Sequence, residues 1–519
     1  MSATSTAKPP STEHLRKFLP EKSAEIKAIN GYFYVYRYSG KKLANGHWGK
    51  ASGKCIGKIV EGRGFIPNRF YLLEQKSRSS DAASQAPSPQ EAYKPALEQI
   101  RVLEYGQYAM VYKIAGAVLK KLEQFFNADV ASQIFSYAVI LYVNGFVQME
   151  QVNLHYQQSW LSLINKKLGF SMRRNALDTL LDNLARSSTG VLNCEQSMID
   201  DCARSKGEIA IVGHAISSGP KDEDNDLAEG GYQHRDLKED QVNLLMGYDA
   251  ERGLPLFAKV FRGSATDKST IKDLAERFEF KKVMFIVDRG FYSEDNLKLF
   301  SDNGCSFIIP LPANTNLFKS TMASVSYTDD FYYRSGEKHA RIKYMQSDAG
   351  MNRKVIVFKD VEENERTRFN YQRSIDMGRD GYTSEGLEKN KDFFGVMVLL
   401  SNSKQSPDEI FSNYKKRWSI ETFYQYLKNS ADFNDLKIED YYKEQGFAFI
   451  MLITGQINHY MDLAVKKLED STTSIYDALT MARIMKINLS KGIWRLCNTR
   501  AKDLLRMKKM GFEPDLALS

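Results

Sequence analysis

Cysteine is scarce in this chain, five residues in 519. Cys55, Cys194, Cys202, Cys305 and Cys497 are scattered, and no two stand at the C-x2-C spacing of a zinc site. An odd, dispersed set argues against a disulfide framework and reads as reduced, packed thiols, the usage of a cytoplasmic protein. Long hydrophobic runs are missing too. The longest, Ile134 to Val147, is too short for a bilayer and is broken by Asn144 and Gly145, so no membrane partner is expected. Met1 to Pro20 is rich in Ser, Thr, Pro and Lys and does not read as a signal peptide. Charge of one sign is not in great excess: 72 Lys and Arg stand against 64 Asp and Glu, a formal net charge of +8. That balance is compatible with a polyanionic partner without requiring one.

What is present is enough apolar material, 43% hydrophobic and 12% aromatic, for three or four modules. Residues 1–25 lack periodicity and read as a disordered tail. Residues 26–76 form a basic β-rich module with strand-like runs at Tyr32–Tyr38 and Cys55–Val60, and with Lys41, Lys42, Lys50, Lys54, Lys58 and Arg63. Contact with a nucleic-acid backbone and ordinary charged protection of a sheet edge both fit that pattern. Residues 77–96 are a Ser/Ala/Pro-rich linker, and 97–205 carry helical periodicities. From 206 the texture becomes α/β, with a strand at Ile209–Val212, a hairpin pairing Gln241–Tyr248 with Leu254–Phe261, and a helix over Asp267–Phe278. The apolar run ending at Val287 is followed by Asp288 and Arg289, which places a carboxylate at a strand C-terminus, where open α/β sheets hold their sites. Residues 312–392 interrupt the pattern with short, aromatic-dotted segments before a strand at Phe394–Leu400. Residues 461–519 read as helical and end in the basic cluster Arg495, Arg500, Lys502, Arg506, Lys508 and Lys509.

The stretch from Ser406 to Lys428 organises the rest. Ser406, Pro407 and Glu409 spell a capping box with proline at the first helical position. Winding at about 100° per residue gathers Tyr414, Arg417, Glu421 and Lys428 on one stripe and sends Ile420, Phe423 and Leu427 to the far side. A solvated face laced with i,i+4 pairs explains such a stripe, and so does a site. The spacing Y-x2-R-x3-E-x6-K resembles the signature helix of the DDE transposases of bacterial insertion sequences, the group named YREK for those four residues. The resemblance covers about residues 206–460. It implies a ribonuclease-H-like α/β core with a β-rich insertion at 312–392, preceded by the small β module and the helical domain. It also implies catalytic, metal-binding carboxylates at Asp288 and Glu421. Two Mg²⁺ ions would be held there, with Mn²⁺ as substitute, because hard cations take oxygen ligands. Contacts to transposon-end DNA fall to Tyr414, Arg417, Lys428 and Arg289. The implied activity is cleavage and strand transfer into target DNA by a homodimer on DNA, in the bacterial cytoplasm and nucleoid-associated when bound.

One residue departs from the pattern. An Asp is implied at the end of the first core strand, and that slot reads Val212. Valine binds neither a metal nor a proton. Three explanations stand: the copy is altered, a nearby acid such as Asp222, Asp224 or Asp226 swings in, or the strand lies elsewhere. His214 is a poor match for Mg²⁺ and is not assigned. The expectation is therefore a transposase impaired in chemistry that keeps DNA binding. The alternatives are a catalytically inactive, transposase-derived regulatory protein and a stand-alone nuclease on the same core. None of the tryptophans, 48, 160, 418 and 494, falls in the insertion, so base stacking there is assigned to Phe331, Tyr332 or Tyr333.

Overall fold

A computed structural model describes residues 12–518, apart from 30, 43–47, 81–101, 188, 218–228, 231–239, 263–266, 336–337, 418–439, 470–472, 491 and 516. The chain forms two compact units, Met1–Glu98 and Gln99–Ser519.

In the first unit, β1 (Ala24–Ile29), β2 (Tyr32–Lys42), β3 (Trp48–Val60) and β4 (Gly64–Pro67) make an antiparallel meander in sequence order, followed by α1 (Arg69–Ser80). A 3-10 helix at Glu13–Phe18 buries Leu15 in a small core with Val35, Ile56 and Ile59. The expected tail over 1–25 is therefore ordered in its described second half, because Leu15 finds apolar partners that local periodicity does not reveal. Helix α1 likewise runs on to Ser80, into the stretch read as linker, whose remainder lies outside the described residues.

The second unit begins with a short strand, β5 (Val102–Glu104), and the helices α2 (Gly106–Ile114), α3 (Gly116–Leu122), α4 (Ala128–Asn144), α5 (Met149–Gln158), α6 (Leu161–Ile164), α7 (Arg174–Arg186) and α8 (Thr189–Ala203). These helices share one continuous hydrophobic core with the sheet that follows, so 97–205 is not packed as a domain of its own. A large sheet runs through the unit from β6 (Glu208–Ser217), β7 (Glu229–Gly230), β8 (Asp240–Asp249) and β9 (Leu254–Arg262) to β10 (Met284–Val287) and β11 (Ser306–Pro310). It is completed by β12 (Asp329–Ser335), β13 (Lys338–Gly350), β14 (Arg353–Asp360) and β15 (Val396–Ser401). The order is β12-β13-β14-β15-β11-β10-β6-β8-β7, with β9 paired to β8. Strands β6, β10 and β11 are parallel, and the other pairs are antiparallel. The strands of 312–392 thus extend the core sheet across β15 and form no separate β domain. Between them lie α11 (Asn316–Ala323), α12 (Val361–Asp376) and α13 (Ser384–Asn390).

Helices α9 (Asp267–Arg277) and α10 (Glu294–Asp302) pack on one face of the sheet, and α14 (Pro407–Lys416) packs on the other. The long, largely buried α15 (Tyr441–Lys466) lies against α7, α4 and β9. Among the described residues the outer edge of β9 has no strand neighbour, and side chains satisfy it instead. Ala258 N donates to Glu195 Oε1 (3.1 Å), Gln445 exchanges two bonds with Val260, and Gln456 Nε2 donates to Pro255 O (2.9 Å). That edge accounts for polar groups deep in a core. The 461–519 segment contains α16 (Ile475–Arg483), β16 (Lys486–Ser490), β17 (Ile493–Cys497), α17 (Ala501–Lys509) and β18 (Ala517–Leu518). It is therefore mixed where helix alone was expected, and β16 pairs with β5 from the start of the unit.

Candidate active site

Strand register decides which side chains meet. Met284 pairs with Glu208 and Val287 with Ile211 across the parallel β10–β6 ladder, so the next positions up are Asp288 and Val212. Paired residues share a face and successive residues alternate. Following the ladders outward, one face carries Glu208, Ala210, Val212, Ile286, Asp288, Ile308, Leu399, Ser401, Ile356, Phe358, Tyr344, Phe331 and Tyr333. The opposite face presents Ile211 and Phe285 to an apolar interior with Ile271, Leu274, Phe280 and Phe300, where the Phe285 and Phe300 rings stack at 4.6 Å.

The first of these faces receives α14. Its start is fixed locally, since Ser406 N donates to Glu409 Oε2 (2.9 Å) and Pro407 occupies the first turn. Its seat is fixed at a distance. Asn413 Nδ2 donates to Glu208 Oε1 (2.8 Å) and Lys416 Nζ to Glu208 Oε2 (3.4 Å), while Phe411 packs on Phe331, Tyr333 and Phe358 with centroids 5.6, 5.1 and 5.1 Å away. One short helix therefore touches both β6 and the extension strands. Glu208, only 4% exposed, is a functional-site support that the sequence reading missed. Its signal was an acid at the head of an apolar strand. Lys416 also pairs with Glu251, which Lys206 holds from the other side at 2.7 Å; these two lysines pull the Glu251 carboxyl down to about 2.

Asp288 sits half-buried at the end of β10, where its Oδ1 accepts from Arg289 N (2.6 Å) and caps the turn Arg289–Phe291. Arg289 is exposed. Just beyond, Glu294 accepts from Tyr292 Oη (3.1 Å) and from Arg353 Nη1 (2.6 Å), and the Arg353 contact holds its carboxyl below the usual range. Val212 turns its isopropyl group toward the same face as Asp288 on the neighbouring strand.

Tyr414 and Arg417 are placed differently from the expectation of a DNA-facing stripe. They are 6% and 7% exposed, with the guanidinium 5.5 Å from the Tyr414 ring centre. The reason is that their stripe also passes through Ile410, buried at 0%, so it turns inward onto the sheet. Phe331 and Tyr333 are likewise committed to the aromatic cluster around Phe411, and of the three aromatics proposed for base stacking only Tyr332 projects to solvent. Glu421 and Lys428, and the acids Asp222, Asp224 and Asp226, lie outside the described residues. His214 lies in β6, its backbone opposite Leu244.

Among the described residues no group of three or more His, Cys, Asp or Glu side chains could hold a metal. Asp288 offers one carboxylate and Val212 offers none. The described residues therefore do not make the paired-carboxylate clamp that two ions need.

No curated protein matches the chain. Residues 207–454 match the family model described as Transposase DDE domain, a family that generally uses divalent metal ions. The matched span runs from the residue before β6 through Asp288 and α14 into α15, and it supports a DDE transposase, a DNA-cutting type of enzyme on a ribonuclease-H-like fold.

Proposed function

We propose that this chain is a transposase of the Tyr-Arg-Glu-Lys group that binds insertion-sequence ends, and that its DNA cleavage and strand transfer are impaired at position 212. The observation that carries this reading is the register: Val212 stands next to Asp288, on the same face, one strand over. Carboxylates on adjacent strands about 4.8 Å apart bracket a hard divalent cation such as Mg²⁺ or Mn²⁺, and an isopropyl group does not. The spacing in the sequence supports Glu421 as the third acid, since at about 100° per residue it falls on the stripe of Tyr414 and Arg417. In this assignment Asp288 and Glu421 are the remaining catalytic ligands, and Arg289 and Lys428 meet the DNA backbone. Tyr414 and Arg417 hold the helix against the sheet and reach DNA only if that packing opens. A homodimer pairs two ends before joining them to target DNA.

The experiment compares the chain with Val212→Asp on duplexes carrying the matching terminal repeats, in Mg²⁺ or Mn²⁺. Cleavage gained by the variant is the expected result; equal, robust cleavage by both proteins overturns the assignment of position 212. The same valine favours a second reading, a DNA-binding regulator without catalysis. Inactivity of both proteins with intact, end-specific binding decides for that reading.

A further inference from the structure

The C-terminal segment is strongly cationic, and the site on the large sheet does not use it. Residues 486–518 hold eight Lys and Arg against three Asp and Glu, so this short stretch supplies five of the chain's formal +8. Much of a charge run is ordinarily consumed by nearby acids. Here Arg500 pairs with Asp503 and Lys508 with Glu513, yet neither Lys502 nor Lys509 has a carboxylate partner among the described residues.

Helix α17, nine residues long, explains the arrangement. Asp503 and Met507 are buried, with Met510 and Phe512 beyond them. Winding at about 100° per residue puts Lys502, Leu505, Arg506 and Lys509 on the outer side, within an arc of about 100°. Lys502 and Lys509 take the middle of that arc, and Leu505, 68% exposed, stands at one edge of it. Lys502 and Lys509, seven residues apart, are separated by about 10 Å along the helix, or about three base-pair steps of duplex. Each lysine is a mobile point charge with an apolar stem, suited to a repeating row of phosphates more than to one shaped ligand.

We propose that the outer face of α17 is a second, sequence-independent contact for the DNA backbone, separate from the Asp288 face. This rests on the reading of the chain as a DNA-binding transposase. The two exposed side chains that carry the proposal, Lys502 and Lys509, are point charges suited to phosphates, whereas the one fork on this side, Arg506, is half-buried, so the lysines add affinity and not selectivity.

The test is fluorescence anisotropy of the full chain on two unrelated 30-base-pair duplexes across a salt series. Lys502→Ala/Lys509→Ala is expected to weaken binding equally on both duplexes. It should also flatten the slope of log affinity against log salt by about 1.8, at about 0.9 for each phosphate no longer neutralised. Lys502→Arg/Lys509→Arg should keep the parent slope. Both lysines are exposed, so the variants are expected to keep the parent circular dichroism and melting temperature. An unchanged slope in the alanine variant overturns the proposal, and so does an unchanged slope accompanied by a shift in oligomeric state, which would assign the face to a second copy. If the parent chain binds neither these duplexes nor its terminal repeats, the transposase reading itself fails, a result distinct from the absence of a slope change alone.

Discussion

Removing the Glu208 carboxylate should loosen α14 from the sheet without unfolding the unit. Glu208→Ala deletes the acceptor for Asn413 Nδ2 (2.8 Å) and one of two acids for Lys416. Asn413 keeps a weaker contact to Gln405 Oε1 (3.2 Å) and Lys416 keeps Glu251, so neither donor is left fully stranded. A buried hydrogen bond to a charged acceptor contributes about 1.5–3 kcal/mol, and the vacated volume adds to that. We expect about 2–3 kcal/mol, or roughly 30- to 150-fold in local opening. Hydrogen exchange followed by mass spectrometry on peptides covering 407–416 reads this directly, with peptides from α15 as the internal control. Glu208→Gln restores the Asn413 contact and should recover most of the protection. If the alanine variant leaves 407–416 exchanging at the parent rate, Glu208 does not hold the helix and the positioning argument is wrong.

Two further outcomes follow from other contacts. Glu251 is held near 2 by Lys206 and Lys416, below its ordinary 4.5. A depressed carboxyl contributes stability that is complete above the unfolded value and disappears as pH falls from about 4.5 toward 2, so Glu251→Gln should lower the neutral-pH plateau of an unfolding curve and flatten its acid limb over that window; an acid limb as steep as the parent's would refute the pairing. Gly446 allows α15 to approach α7, since a Cβ there would lie 2.1 Å from the Leu181 carbonyl oxygen. Gly446→Ala should therefore cost about 1–3 kcal/mol in urea denaturation by forcing the helices apart, and an unchanged midpoint would refute the close approach.

Much of the site's scaffold was readable in advance because its signals are local. The β8–β9 hairpin, helix α9, the strand ending in Asp288 and the capping box at Ser406 each follow from periodicity, turn residues or caps within a few positions of one another. The position of Val212 beside Asp288 also accords with a strand reading made from apolar runs alone. Misread features share a different cause. The described part of the tail, 12–25, gains order from contacts to β strands, and β16 of the C-terminal hairpin takes as its second neighbour β5, nearly four hundred residues earlier. Tyr414 and Arg417 look like a polar stripe by composition, but a buried Ile410 on the same stripe turns it inward.

The sequence by itself determined the identity and order of the chemical groups: an acid after an apolar strand, a valine where another acid is implied, a capped helix bearing Tyr414 and Arg417, and a basic C-terminal run. Only the tertiary structure decided which of these groups face one another. Pairing five strands side by side brings Glu208 and Phe358 to opposite flanks of one helix, and the direction of that helix's stripe depends on both. Local propensity acts over one turn or one hairpin, whereas the facing of a side chain depends on apolar burial summed over segments hundreds of residues apart.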